Sequence, residues 1–351
     1  MDNFERNVSA VIKCQNCGAD MAYDPLTGQL SCRYCKSTRE IQKRVPSLRD
    51  YEREKVQGNV MYEGNKYVCP NCGGSIDLPP FATSVKCPFC SATNVIEEKD
   101  MNGLKPDSIL PFLIPQSSAS MFGTKWIKSK LYAPFGLKKQ FKMDNFKGLY
   151  IPSFAFSSRT ESYYNGTLGK TRTRTVGSGK NRHTETYTEW FHVSGNWSRI
   201  FTDMFVEASL QIGTKEFSKI DCYDSQNAEA YNKEYLAGFY AERYDTPIEE
   251  CFDKAANRMG DIIRNEIVRH YNADCVGTLN VNPSFYQTKF RYMLLPVWVC
   301  NYAYKNKGYR LIINGRNGKT YGEWPKSAFK ICSTVLIVLA IIAVILYFVL
   351  R

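Results

Sequence analysis

Residues 13–37 read KCQNCGADMAYDPLTGQLSCRYCKS, and residues 68–92 read VCPNCGGSIDLPPFATSVKCPFCSA. Each stretch holds two CxxC pairs separated by fourteen residues, and the second stretch repeats the first with a period of 55 residues. A CxxC turn places two thiolates on one side of an ion, and two such turns at hairpin tips complete a tetrahedral site. The pattern predicts two tandem zinc ribbons, with ligands Cys14, Cys17, Cys32 and Cys35 in the first and Cys69, Cys72, Cys87 and Cys90 in the second.

Four thiolate ligands suit Zn²⁺ and leave no open coordination position. We therefore predict two structural Zn²⁺ ions that take no part in chemistry. A redox dithiol needs one CxxC at a strand-to-helix junction, rather than four pairs in two matched sets. Iron held as in rubredoxin would use the same ligands, and this alternative stays open. Gly18 and Gly73 follow their CxxC pairs, where the backbone often needs a positive φ.

The chain of 351 residues is 44% hydrophobic and carries a net charge of +12. It can bury a core, and its charge favours an anionic partner, either nucleic acid or a membrane surface. The second ribbon is nearly neutral, so we favour protein docking over nucleic-acid binding for the ribbons. The first ribbon is basic, with Lys13, Arg33, Lys36, Arg39, Lys43 and Arg44.

The segment 331–350 reads ICSTVLIVLAIIAVILYFVL and holds no charged residue. Twenty helical residues cover the hydrocarbon core of a bilayer, so the segment predicts a transmembrane helix. Residues 1–10 have no apolar run, and we expect no secretory signal. The positive-inside rule then predicts a single-pass, tail-anchored protein of the cell membrane with its amino-terminal domains in the cytoplasm. The cations that precede the span are Arg316, Lys319, Lys326 and Lys330.

The middle of the chain predicts an α+β domain with a mainly antiparallel sheet. Residues 150–156 (YIPSFAF) and 294–300 (LLPVWVC) have the same apolar-Pro-aromatic form. Each stretch is followed by a predicted glycine turn, at Gly166 and at Gly308. We interpret them as two related β units. The predicted organisation is zinc ribbon 1 at 1–45, a charged linker at 46–65, zinc ribbon 2 at 66–98, the α+β domain at 107–325 and the transmembrane helix at 331–350.

Three helices and one hairpin are predicted within this domain. Helices are expected at 118–131, at 228–242 and after Pro247, with Thr246 as the cap of the third. Residues of the third helix form an apolar face at 3.6-residue spacing. The basic stretch 170–183 is expected to form a projecting hairpin, in which Arg172 and Arg174 face Glu185 and Glu189.

No catalytic motif is found in the sequence. The three histidines, His183, His192 and His270, lack metal-ligand spacing. Gly169-Lys170-Thr171 resembles the end of a phosphate loop, but Tyr164 occupies the first glycine position. We predict that the protein is not an enzyme, although an unfamiliar site in the β-rich region stays a third alternative. The remaining cysteines are expected to be buried apolar residues: Cys222, Cys251, Cys275, Cys300 and Cys332.

Together with the ribbons, three further stretches carry a family resemblance: 150–156, 234–244 (EYLAGFYAERY) and 295–319, from LPVW to NGRNGK. The chain resembles bacterial membrane-anchored proteins with a zinc ribbon of the transcription-factor-IIB type, often labelled replication-restart helicase-like. Motor motifs are missing here. The resemblance implies no catalytic residues. It implies a recruitment role, since some members act with flotillin-type scaffold proteins and phage-shock-type envelope-stress proteins.

The sequence therefore predicts a membrane-anchored adaptor that recruits cytoplasmic or membrane-associated proteins to the bilayer, in an envelope-stress response with flotillin-type partners. The alternative is a membrane-tethered zinc-ribbon protein that binds nucleic acid.

Overall fold

The structure is a computed structural model that describes residues 12–57, 66–68, 75–77, 82–86, 93–95, 104–140, 146–179, 182–209, 212–242, 244, 246–305 and 307–350. Its helices are α1 (Tyr51–Gln57), α2 (Gln116–Ser129), α3 (Phe135–Gln140), α4 (Thr214–Ile220), α5 (Ile248–His270) and α6 (Ala328–Leu350). The strands up to residue 109 are β1 (Met21–Asp24), β2 (Gln29–Cys32), β3 (Thr38–Arg39), β4 (Arg49–Asp50), β5 (Lys66–Val68), β6 (Ser75–Asp77), β7 (Ala82–Lys86), β8 (Thr93–Val95) and β9 (Ser108–Ile109). The later strands are β10 (Lys147–Val176), β11 (His183–Glu207), β12 (Glu229–Ala230), β13 (Tyr240–Glu242), β14 (Cys275–Tyr304), β15 (Lys307–Asn314) and β16 (Thr320–Gly322).

Two strands of 30 residues each, β10 and β14, form the spine of the large sheet. They pair antiparallel from Lys147 opposite Val299 to Gly169 opposite Cys275. The strand β11 pairs antiparallel along the other side of β10, and β15 and β16 extend the far end of β14. The short strands β13 and β9 add two parallel pairings. The prediction of a mainly antiparallel sheet with helices is confirmed.

The centre of this sheet is buried on both faces. Side chains alternate along a strand, so Tyr150, Phe154 and Phe156 face the same core as α5, whereas Ile151 and Ala155 face the core that contains α4. This explains why 150–156 is apolar on both faces rather than alternating, with Ser153 as its one polar side chain, which is buried and donates to the carbonyl of Val206. The two similar motifs are direct neighbours, with Pro152 opposite Leu294 and Tyr150 opposite Pro296.

The glycines that follow these two motifs differ. Gly308 is the second residue of β15 and lies opposite Ala303 of β14, so it lies near the connection between the two strands rather than in a turn. Gly166 lies inside β10, between Val193 and Leu279 on the neighbouring strands, so the predicted turn is wrong. A β-carbon on Gly166 would overlap the carbonyl oxygen of Thr278, which accounts for the glycine there by close backbone approach.

The helix α5 confirms the predicted apolar face. Its buried residues recur at helical spacing, and Phe252 packs against Phe156 with ring centroids 5.4 Å apart. The predicted cap differs, since Pro247 precedes the first helical residue and no side-chain cap bond forms. The buried set is Ile248, Cys251, Ala255, Met259, Ile263 and Ile267.

The helix predicted at 228–242 is wrong. The segment contains β12, a 3-10 turn at Lys233–Leu236 and β13. The Asn232 side chain accepts a hydrogen bond from the Glu234 backbone N–H at 3.0 Å and stabilises that turn. Gly238 then adopts a φ of +88°, a left-handed backbone conformation that a right-handed α-helix does not contain.

The described part of the predicted charged linker, residues 46–57, packs on the sheet, and residues 58–65 lie outside the described residues. β4 pairs with β14, and α1 follows it. Tyr51 is buried with its ring 4.5 Å from Phe252 and 6.0 Å from Phe156. The buried ring of Tyr51 thus helps to anchor an otherwise charged segment.

The predicted hairpin is confirmed. β10 and β11 pair as far as Val176 opposite His183, and the end of this hairpin extends beyond the region paired with β14. Arg172 lies 3.0 Å from Glu189, and Arg174 lies 3.1 Å from Glu185. The expected cross-strand ion pairs therefore form, all on exposed side chains.

The helix α6 is long and apolar enough to span a membrane, and its apolar stretch within Ala328–Phe348 is not buried inside the protein. It begins three residues before the predicted 331–350 span. The helix α2 lies close to the predicted 118–131, and its Trp126 packs edge-on against Trp324 at 5.3 Å, just before α6.

Candidate metal centre

Four cysteines near the beginning of the chain form the candidate metal centre. The sulfur atoms of Cys14, Cys17, Cys32 and Cys35 all lie within 4.8 Å of one another. Cys14 Sγ is 3.4 Å from Cys35 Sγ, and Cys17 Sγ is 3.5 Å from Cys32 Sγ. The spacing pattern predicted this group, and the backbone brings it together through two turns and the β1–β2 hairpin.

The two CxxC turns have matching backbone geometry. The N–H of Gly18 donates to the carbonyl of Cys14 at 2.9 Å, and the N–H of Lys36 donates to the carbonyl of Cys32 at 3.1 Å. Both residues that end the turns have positive φ, 73° for Gly18 and 62° for Lys36. Each turn directs its two sulfurs to the same point. Lys36 adopts this conformation without the freedom that glycine has.

The hydroxyl of Ser37 contacts two of the sulfurs, which spacing alone did not predict. Ser37 Oγ lies 3.0 Å from both Cys14 Sγ and Cys35 Sγ. This hydroxyl is the main reason that the pKa of Cys14 falls to about 6, and it also lowers the pKa of Cys35. The only sequence signal was a hydroxyl residue two positions after a ligand cysteine.

The thiol of Cys17 resists ionisation beside its neighbours. The N–H of Ala19 lowers the pKa of Cys17, but contacts with the sulfurs of Cys32 and Cys35 raise it more, to about 12. Four thiolates this close repel one another unless a cation lies between them. A divalent ion removes that repulsion and keeps all four deprotonated.

The sulfur geometry fits a tetrahedral ion. Sulfur atoms bound to Zn²⁺ at about 2.3 Å lie about 3.8 Å apart, close to the two separations above. Cys14 and Cys32 are buried, whereas Cys17 and Cys35 are exposed, so one side of the site faces the protein core. The four cysteines could therefore bind one metal ion.

The second predicted set, Cys69, Cys72, Cys87 and Cys90, lies outside the described residues. The strands on either side of these pairs are described: β5 pairs with β6 around the first pair, and β7 pairs with β8 around the second. β7 also pairs with β13, through Ser84 opposite Ala241. The sheet therefore crosses the predicted boundary between 66–98 and the α+β domain.

The region of the four clustered cysteines, predicted as the first ribbon, packs onto the large domain through β1. Tyr23 is buried, its N–H donates to the carbonyl of Ala237 at 3.0 Å, and its hydroxyl donates to the carbonyl of Phe112 at 3.1 Å. Its ring lies 5.4 Å from that of Tyr235 in an edge-on contact. The segment 228–242, which was predicted as a helix, thus forms part of the surface on which β1 packs.

Three of the six basic residues of the predicted first ribbon form ion pairs within the chain. Arg39 lies 2.6 Å from Glu234, Lys13 lies 2.6 Å from Asp20, and Lys43 lies 3.6 Å from Glu229. Arg33 and Lys36 are exposed. Charges that are neutralised by carboxylates of the same chain contribute little to phosphate binding.

The other candidate residues are dispersed. His183 lies beside Glu185, His192 beside Thr167, and His270 beside Trp197. Within the described part of the chain, the four ribbon cysteines are the one group of His, Cys, Asp or Glu side chains arranged to hold a metal ion.

Two of the scattered cysteines, Cys251 and Cys300, are buried as expected. Cys275 is half-buried. Cys222 and Cys332 are exposed, so the prediction of burial was wrong for them. Cys222 lies beside Lys319, and Cys332 lies on α6.

The chain is similar along most of its length to an uncharacterized protein, YdjG, of Bacillus subtilis (strain 168). The two sequences are 28% identical over 325 residues, which is 92% of each chain. No protein-family model matches the chain. No solved structure matches it.

Proposed function

We propose that the protein is a membrane-anchored adaptor that recruits cytoplasmic proteins to the bilayer. The observation that carries the proposal is α6, an apolar helix that is unburied along its length and continues directly from a folded domain. An apolar surface of this size is stable in water only if a lipid or protein environment covers it. The cations before the helix favour a cytoplasmic position for the domain.

In this proposal the metal ion is Zn²⁺ and its role is structural. Four sulfur ligands fill a tetrahedral site, so no position is left for a substrate. The ion would hold β1 and β2 in the shape that seats Tyr23 on the large domain. Cys69, Cys72, Cys87 and Cys90 would hold a second ion in the same way.

The family resemblance extends the proposal to partners. Proteins with this arrangement of ribbon and membrane helix imply a recruitment role beside flotillin-type and phage-shock-type proteins. The β10–β11 hairpin beyond Gly169 offers a surface for such contacts, since its ion pairs are exposed and none of the described strands pairs with β10 beyond Gly169 apart from β11. Nucleic-acid binding has less support, because Lys13, Arg39 and Lys43 already contact carboxylates.

The test is mass spectrometry of the proteins that co-purify with the full-length chain from gently solubilised membranes, with and without nuclease. We expect a nuclease-resistant set of membrane-associated proteins. A test variant replaces Arg172 and Arg174 by glutamate, which reverses the charge of the hairpin without changing the core and should release the partners that bind there. Partners that disappear with nuclease would instead support a tethered nucleic-acid binder.

A further inference from the structure

The amino-terminal end of α6, here called its root, is hydrogen-bonded to the segment that joins α2 and α3. The N–H of Ser327 donates to the carbonyl of Tyr132 at 2.8 Å. The Lys330 ammonium donates to the carbonyl of Ala133 at 2.6 Å and lies 3.8 Å from the centre of the Phe135 ring. The direction of α6 is therefore fixed relative to α2, and a membrane that contains α6 passes close to residues 131–135.

Large apolar side chains surround this root and are exposed. Leu131 is 69% exposed, Phe135 is 74% exposed and Phe329 is 79% exposed. Next to these side chains, the rings of Trp126 and Trp324 pack edge to face. The Lys130 ammonium lies 4.3 Å from the centre of the Trp126 ring and 4.7 Å from that of Trp324. Tryptophan rings beside lysines and exposed aliphatic groups are typical of the boundary between headgroups and acyl chains.

The charge of this region has one sign. Residues 108–143 contain six lysines and neither aspartate nor glutamate, and residues 324–330 contain two lysines and no acid. Lys125, Lys128 and Lys326 are exposed. Each lysine close to an anionic membrane surface strengthens binding by about fivefold.

We infer that residues 116–137 and 324–330 form a lipid-binding surface, here called the root surface, that lies on anionic phospholipid headgroups around the point where α6 enters the bilayer. Leu131, Phe135 and Phe329 enter the boundary of the acyl chains, and the lysines contact phosphate groups. The inference rests on the proposed anchoring by α6. It adds that the domain lies against the membrane in one orientation, with the lipid headgroup as its ligand.

The orientation of the domain makes the adaptor sensitive to lipid composition. The root surface keeps the α2 side of the large domain at the membrane, and the strength of this binding depends on the anionic lipid content of the bilayer. Partner capture by the adaptor would then respond to lipid composition without a change in fold.

The test is hydrogen–deuterium exchange of the full-length protein in nanodiscs of phosphatidylcholine alone and of phosphatidylcholine with phosphatidylglycerol. We expect the amides of residues 116–137 to exchange roughly threefold more slowly in discs with the anionic lipid. The variant Lys125→Glu with Lys326→Glu removes this difference, and Lys215→Glu on α4 is the charge control. The variant Leu131→Ser with Phe135→Ser speeds exchange in both discs, with Ile200→Ser, 74% exposed on β11, as its control.

The outcomes separate this inference from the proposed anchoring. If α6 is protected in both discs and residues 116–137 exchange equally in both, the root surface does not bind anionic headgroups while the anchor stands. If α6 itself exchanges rapidly in discs, the anchoring fails, and the root surface fails with it.

Discussion

At the residue scale, the metal centre depends on two backbone positions as much as on its sulfurs. Gly18 has a φ of 73°, and a β-carbon added there would meet no atom within 4 Å. Gly18→Ala therefore tests conformation without steric overlap, and we expect a loss of about 1–2 kcal/mol in the free energy of unfolding of the ribbon. The measurement is the midpoint of metal release against a competing chelator.

The matched control is Gly308→Ala. That glycine also has open space around it, but its backbone does not adopt positive φ. We expect no change in metal release. Equal effects of the two substitutions would contradict the role assigned to the Gly18 conformation.

The identity of the ligands is tested by Cys32→Ser. Cys32 is fully buried and its sulfur lies 3.5 Å from that of Cys17, so its loss leaves an incomplete site. Binding of a structural metal ion is strongly favourable, about 10–16 kcal/mol for zinc-finger peptides, and removal of a ligand should empty the site. Elemental analysis of the purified protein should show one fewer metal ion per chain than in the wild type.

Cys222→Ser is the control for this substitution, because Cys222 is exposed and lies outside the cluster. Its metal content should equal that of the wild type. The same elemental analysis identifies the metal, since zinc and iron are measured separately. Iron in place of zinc would overturn the metal assignment but not the ligand assignment.

At the element scale, a half-buried ion pair holds the segment before α1 against the sheet. Arg49 Nε donates to Asp107 at 2.7 Å, and the other oxygen of Asp107 accepts the N–H of Tyr292 at 3.0 Å. Burial raises the pKa of Asp107, while these two bonds oppose the rise. Arg49→Met leaves a buried carboxylate without its cation, and we expect a loss of about 3 kcal/mol in stability at pH 7.

The pH dependence of this loss follows from the sign of the shift. Without Arg49 the pKa of Asp107 rises further above its unfolded value, so the folded state of the variant binds the proton more tightly. A raised pKa favours folding at low pH, and that contribution is lost as the pH rises. The deficit of Arg49→Met relative to the wild type should therefore shrink as the pH falls from 7 towards about 4.

Urea unfolding at several pH values measures this dependence, with Arg174→Met as the control. Arg174 also binds a carboxylate, Glu185, but both side chains are exposed, and the expected loss is below about 1 kcal/mol. A deficit for Arg49→Met that is constant with pH would exclude Asp107 as its origin.

The elements also show what the sequence could predict. The apolar face of α5 is local and periodic, and the cross-strand charges of the hairpin alternate, so both were predicted. The structure of residues 228–242 was not predicted, because Tyr235 and Leu236 are buried in a 3-10 turn rather than on one face of an α-helix. Tyr235 packs there against Tyr23 of the cysteine region. Contacts between residues two hundred positions apart leave no periodic signal.

At the scale of the whole molecule, the cysteine spacing predicted the first site but not its setting. Spacing defines which sulfurs converge, whereas the docking of β1 depends on the shape of a distant surface. The sheet likewise extends through β13 to β7 and β8, so strands that flank the second cysteine set belong to the large sheet. The modules that look serial in the sequence therefore share part of one framework of strands, although β1, β2 and β3 form a sheet of their own, as do β5 and β6.

The last prediction concerns the attachment of this framework to the membrane. Leu339 and Ile342 lie in the middle of α6 and are unburied, so lysines at these positions would leave the packing of the domain unchanged. Each lysine at the centre of a spanning helix costs about 3 kcal/mol of insertion free energy. The variant Leu339→Lys with Ile342→Lys should therefore leave the membrane fraction on ultracentrifugation, while the metal content and the urea midpoint of the domain stay those of the wild type.

The control is Leu339→Ala with Ile342→Ala, which keeps the helix apolar and should stay with the membranes. A lysine variant that still sediments with membranes would show that other surfaces hold the protein there, and α6 would then have to be covered by a protein partner instead.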